Sequence, residues 1–393
     1  MPCAICSEPL DGQEQRSLEH VILNALGGRK KLPDVLCAAC NSRSGEEWDS
    51  VLAAQLNWLC LLLGISRDRG VSPPERVKTV GGEQYTLYHH GSLTPVQPSY
   101  SATPMPDGRV QIQIMARTNA EARRMLTGAK GKYPNLDVDA LLREIKVESS
   151  YPTSPFHFQP QFGGPLAGRS LVKSVLCLAV SAGVDAAHCN AARQYLRDPQ
   201  AEACFGYFYE RDLLIDRPAR VPLHFIGVSS KGTEGELLGY IELFTAQRCL
   251  VRLAGNYDGP EVHCSHAIDP TTGTTLELNF ALNLGRDVVN DCLAGKESPA
   301  RAVEEAFSMP LAVAHQRSSE RVRDRVISEA VHYAFEHCGA KEGEVLTDEH
   351  ISRLSALMTE KMMPYILPRL VRDRPLPAFD PESDDAQQDS GTS

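Results

Sequence analysis

The chain has 393 residues, 42% of them hydrophobic and 23% charged, which is an ordinary globular composition with room for two or three domains. Its net charge of −10 argues against a generally basic coat for nucleic acid, and no apolar run approaches the length that spans a bilayer. Cys3 and Cys6 stand where a signal peptide would carry its basic and apolar stretches, so a cytoplasmic protein with no membrane partner is expected.

Cys3-x-x-Cys6 is answered by Cys37-x-x-Cys40. Each pair is a tight turn that aims two thiolates at one tetrahedral cation, so the four cysteines predict a structural Zn²⁺ site. The other eight cysteines are scattered singly in apolar surroundings and read as small buried hydrophobes. Between the two pairs the chain reads Ser17-Leu18-Glu19-His20-Val21-Ile22, then Ala25-Leu26-Gly27-Gly28, then the basic run Arg29-Lys30-Lys31. That run suits a grip on phosphate and a solvated loop equally. Asn41 directly follows the last cysteine. Trp48, Val51, Leu52, Leu56, Leu59 and Leu63 recur at spacings of three and four, which predicts an amphipathic helix capped by Ser42 or Ser44 and stopped by Gly64. Residues 65–76 have the composition of a linker.

These motifs, in this order, resemble the HNH, or ββα-metal, endonuclease superfamily, in the variant whose acidic-His pair and CxxC-Asn helix start lie inside a four-cysteine zinc site. The resemblance covers residues 1–64. It implies a hairpin that presents Glu19 and His20 and a helix that presents Asn41 from its first turn. Adjacent strand residues point to opposite faces, so it also implies a backbone turn at the dyad. Glu19 and Asn41 would then hold a catalytic Mg²⁺ or Mn²⁺, and neutral His20 would act as general base on the attacking water. The implied substrate is DNA, with RNA as the other possibility. The superfamily's middle Asn has no counterpart, since Leu32, Pro33 and Asp34 occupy that stretch, which leaves Asp34 as the candidate brace of the loop.

Beyond residue 76 the pattern turns to short strands at 84–89 and 110–115 and a helix opened by the capping box Thr118-Asn119-Ala120-Glu121. Gly163 to Ser170 approaches a phosphate-loop pattern but carries Arg169 in place of the lysine, so it predicts a structural turn before a helix at 169–182. Arg169 and Lys173, one turn apart, read as a solvated face. A strand-rich meander is expected at 221–228, 237–244, 248–253 and 274–282, then helices near 298–308, 318–338 and 347–367. His263-Cys264-x-His266 and His188-Cys189 lack partner pairs at zinc spacing and read as buried or loop residues.

The expected architecture is α+β: a small zinc-stapled ββα-metal module at 1–64, a linker at 65–76, a larger mixed α+β domain at 77–374 and a disordered acidic tail at 375–393. The larger domain would position substrate or regulate cutting, with a regulatory ligand as a possible partner. The alternative is a zinc-stapled nucleic-acid-binding or interaction module without catalysis, attached to a ligand-sensing domain.

Overall fold

The computed structural model describes residues 2–10, 16–145, 154–157, 161–296 and 300–372; the expected acidic tail lies outside them. The first sixty residues form two strands and a helix. β1 (Arg16–His20) pairs antiparallel with β2 (Lys31–Cys37), which sets Glu19 opposite Leu32 and His20 opposite Lys31. α1 (Ala38–Ser44) follows without a loop, and a π-helical turn at Gly45–Asp49 leads into α2 (Ser50–Leu63). The helical stretch therefore starts earlier than expected. Its N-cap is Cys37, not Ser42 or Ser44, because the Cys37 sulfur accepts from the Cys40 N–H at 3.4 Å. Gly64 ends α2 with a φ of 71°, as its position suggested. From Leu56 to Leu61 every residue of α2 is buried, so it is a core helix and not an amphipathic surface one.

Residues 75–157 add small sheets at the periphery. β3 (Glu75–Thr79), β4 (Gln84–Leu87) and β5 (Leu93–Pro95) pair in sequence, and β6 (Ser99–Pro104) pairs with β7 (Val110–Met115). α3 (Asn119–Lys132) has Thr118 Oγ1 accepting from Glu121 N at 3.2 Å, while the Glu121 carboxylate reaches back to Arg117 N at 2.9 Å, one residue beyond a standard capping box. α4 (Val138–Arg143) and β8 (Phe156–His157), which lies on the free edge of β3, complete this part.

The core of residues 1–315 is α5 (Pro165–Ser181) lying on a six-stranded antiparallel sheet. After α6 (Asn190–Arg197) come β9 (Phe205–Tyr207), β10 (His224–Ser229), β11 (Leu237–Leu243), β12 (Gln247–Ala254), β13 (His263–Asp269) and β14 (Thr274–Leu276), in the sheet order β14-β13-β10-β11-β12-β9. Both faces are buried, and the period-two alternation sorts them. Ile226, Val228, Ile241 and Val251 join the core that contains α5, whereas Phe225, Leu238, Tyr240 and Leu250 join a second core with Val289 of α7 (Arg286–Leu293). Gly239 is where helix and sheet come closest: a Cβ there would lie 2.1 Å from Val175 Cγ1, so only glycine permits this contact.

Cys3, Ile5, Val21, Leu36, Leu52 and Leu59 belong to the same core as Leu171, Val175 and Ile241. The hydrophobic contacts of the cysteine module thus run on into α5 and the sheet. The chain divides into two compact units at Met1–His315 and Gln316–Ser393, not at the expected linker. α8 (Ala300–His337) is one helix that runs through Pro310, where two were expected; proline removes one hydrogen bond without obliging the chain to stop. In the second unit Ala334 and Cys338 pack on Leu354 of α9 (Asp348–Arg372), and Lys361 stacks on Tyr333 at 4.0 Å. With 42% helix and 22% strand the fold is mixed α+β, a cysteine-cluster module followed by a larger domain. No helix of the described residues is long and apolar enough to cross a membrane.

Candidate functional site

Two turns bring the four cysteines together. The Sγ atoms of Cys3, Cys6, Cys37 and Cys40 all lie within 4.8 Å of one another, with Cys6 and Cys37 at 3.7 Å. A tetrahedral zinc with Zn–S bonds of about 2.3 Å spaces its sulfurs about 3.8 Å apart, so the set fits that ion. The first turn is locked from α6: Arg193 Nε donates to the Ala4 carbonyl at 3.1 Å, and Arg197 Nη2 to Ser7 Oγ at 2.9 Å. Among the described residues no other group of three or more Cys, His, Asp or Glu is placed to hold a metal. His263 stacks on Phe280, and His188 pairs with Asp258 at 2.8 Å.

Beside the cluster lies a cavity of about 300 Å³ whose lining includes Glu19, His20, Asn41, Gly45 and Asp49. β1 ends at His20 and the chain bends at once through Val21 and Ile22, which lets two consecutive side chains border one space. The following loop closes tightly: a Cβ on Gly28 would sit 1.8 Å from the Ile22 carbonyl oxygen. Asn41, in the first turn of α1, donates its amide to the Leu18 carbonyl at 3.4 Å, which leaves Oδ1 as its ligand atom. The residues brought together by the fold are therefore the expected Glu19, His20 and Asn41, and also Asp49.

Lys173 of α5 contradicts the expected solvated face. Its side chain is 0% exposed, and its ammonium lies 2.6 Å from Glu19 Oε1 and 2.5 Å from Asp49 Oδ2. Ser170 Oγ donates to the other Asp49 oxygen at 2.6 Å. Burial opposes the charge on Lys173, but the Asp49 and Glu19 carboxylates outweigh it and hold its pKa above the ordinary lysine value. Burial likewise pushes the Glu19 carboxyl up, with Lys173 opposing. Arg169 is also buried, stacking on Tyr195 at 4.5 Å and donating to the Pro165 and Asp198 carbonyls. The glycine-rich turn before them serves as the N-terminus of α5, and Gln55 fastens it through both the N–H and the carbonyl of Gly163.

The supposed linker packs against the dyad and the loop that follows it. Asp68 accepts from Arg29 Nη1 at 2.9 Å, lies 2.8 Å from Lys31 Nζ and 3.5 Å from His20 Nε2, and its N–H reaches Asn24 Oδ1 at 2.9 Å. Asp68 thus ties the loop after the dyad, the task anticipated for Asp34, which adopts a left-handed φ of 58° within β2. The basic run is neither free nor simply solvated, since two of its three charges meet one carboxylate. Burial pushes the His20 pKa down against the pull of Asp68, which favours the neutral ring.

Glu19 and Asn41 offer the hard oxygen donors that Mg²⁺ or Mn²⁺ requires, on one wall of one cavity, so the donor set fits such an ion, with Lys173 sharing Glu19. The chain order of a four-cysteine cluster, a strand-end Glu-His pair and a helix-borne Asn is now matched by their arrangement in space. Residues 3–57 match the HNH endonuclease family. No curated protein and no solved structure matches the chain. The match suggests nuclease activity in general, over this N-terminal segment.

The HNH segment is anchored to the sheet by His224, which is fully buried. Its Nδ1 accepts from the Phe244 N–H at 3.0 Å, so Nε2 carries the proton and donates to the Leu26 carbonyl at 2.9 Å. Burial holds its pKa down at about 4, with Leu26 and Asp269 pulling up and His266 pushing down. Because the folded pKa lies below that of a free histidine, this contribution to stability is complete above pH ~6.5 and lost as the pH falls towards 4. The loss amounts to about 3 kcal/mol across that window. Urea unfolding at pH 7 and pH 5 should show a steeper loss for wild type than for His224→Gln; equal slopes would refute the assignment. Sequence reasoning assigned no site role to Asp49, Asp68 or His224 and read Lys173 as solvated, although a lysine inside the apolar run from Ala167 to Val180 is the signal that could have exposed its burial.

Proposed function

We propose that the HNH segment hydrolyses phosphodiester bonds in DNA, with His20 as general base, Glu19 and Asn41 as holders of a catalytic Mg²⁺ or Mn²⁺, and zinc on the four cysteines as a structural staple. The observation that carries this reading is the convergence of Glu19, His20 and Asn41 on one cavity inside the family-matched segment. His20, held neutral, takes the proton of the attacking water. Glu19 and Asn41 orient the cation, and its positive charge, when bound, stabilises the phosphate and the leaving oxygen. Arg29 and Lys31, gathered on Asp68 next to His20, would meet a nucleic-acid backbone that passes there. Residues 77–374 position the substrate or license cutting.

The pairing of Glu19 with Lys173 favours a second reading, a zinc-stapled nucleic-acid-binding module without catalysis. Incubation of the purified protein with supercoiled plasmid and single-stranded DNA, in Mg²⁺, Mn²⁺ or EDTA, separates the two. Metal-dependent nicking supports the nuclease. Plasmid left intact by protein that binds it and carries its zinc supports the binding module.

A further inference from the structure

Lys173 has no place in the cleavage scheme above, yet it touches the carboxylate assigned to the cation. It cannot meet substrate directly, because its side chain has no exposed surface. It cannot simply swing away, because its ammonium and the Glu19 carboxylate would be left buried and unpaired. Asp49 is equally committed, with Oδ1 engaged by Ser170 and Oδ2 by Lys173. Asp49 and Ser170 therefore hold Lys173, and Lys173 holds Glu19.

The charge count gives this chain of contacts a consequence. Two carboxylates and one ammonium sum to a single negative charge. A divalent cation then leaves the site with one positive charge, suited to a phosphodiester anion. Without the ammonium the same cation would be bound more tightly and the site would end neutral.

We propose that Lys173 is a positioning residue for Glu19, a resident ammonium that orients this carboxylate from behind and weakens its hold on a divalent cation so that the loaded site stays positive. The proposal rests on the reading of Glu19 as a cation ligand. The test is Mn²⁺ binding, followed by the paramagnetic resonance of free Mn²⁺, to full-length zinc-loaded wild type, Lys173→Met and Asp49→Asn. Lys173→Met should bind Mn²⁺ ~10-fold more tightly, because a like charge has been removed beside the ligand. Asp49→Asn should bind it ~5-fold more weakly, because the lysine charge then falls on Glu19 alone. General loosening of the fold would weaken both variants, so the opposite signs are diagnostic. Zinc content and circular dichroism establish that each variant is folded. A folded Lys173→Met protein with unchanged or weaker Mn²⁺ affinity overturns the proposal. If Lys173→Met does not fold, Lys173→Gln, which keeps a hydrogen-bond donor between the two carboxylates, decides: tighter Mn²⁺ binding supports the proposal, and unchanged or weaker binding overturns it. Wild-type protein that takes no Mn²⁺ at all removes Glu19 as a cation ligand, and the proposal falls with that reading.

Discussion

His20→Ala should lower metal-dependent DNA cleavage by ~10²–10⁴-fold, the range expected when a general base is removed, while zinc content and the unfolding curve stay those of wild type. The structure explains why the two readouts separate. His20 is the last residue of β1, half-buried at the cavity wall, and its ring nitrogen Nε2 lies 3.5 Å from Asp68 Oδ2 without a hydrogen bond to any neighbour. Truncation there removes the proton acceptor and leaves the backbone pairing of His20 with Lys31 in place. Plasmid nicking, zinc release with a chromogenic chelator and thermal melting of the same preparation suffice. A variant that cuts like wild type removes His20 from the chemistry, and one that loses its zinc makes it a structural residue.

Cys37→Ser should have the opposite profile, with zinc lost and residues 3–57 opened to protease. Zinc ligation contributes about 10–16 kcal/mol in isolated zinc-binding peptides, and this unit has the same thiolate chemistry. Cys37 carries a second burden, because its sulfur caps α1 through the Cys40 N–H. A serine hydroxyl can keep that cap, so the helix start that presents Asn41 loosens through the lost zinc, and cleavage falls with it. The opening should stay local. Cys3, Ile5 and Leu52 share a core with α5 and the sheet, and Arg193 and Arg197 grip the first cysteine turn from outside. Limited proteolysis with mass mapping reads this directly: early cuts within residues 3–57 and protection of β10 to β13 are expected. Zinc-free protein with an undisturbed map would show that the core alone holds the segment.

What could be read from the sequence was local. The CxxC pairs, the Glu-His dyad and Asn41 carry their meaning in their spacing, and the strands β10 to β12 in their apolar runs. β13 was missed because its His263-Cys264-Ser265-His266 start lacks the apolar signature of its partner β10, and the strand expected to reach Leu282 ends at Leu276. The site's second layer was hidden for a different reason. Lys173 meets Asp49 across 124 positions of chain, and His224 meets Leu26 across 198, so no window of sequence holds both members of either pair. Asp68 was concealed by its setting, since Arg67-Asp68-Arg69-Gly70 has the composition of a connector and gives no sign that its carboxylate will be recruited.

That recruitment bears on how nucleic acid would be held. Asp68 faces His20, Arg29 and Lys31 as a backbone phosphate would, in the manner of an internal counter-ion. A phosphate arriving there exchanges with a tethered carboxylate instead of releasing salt ions from two bare cations. The ionic-strength dependence of the proposed DNA binding would therefore be shallower than the count of basic residues suggests, and neutralising Asp68 would steepen it.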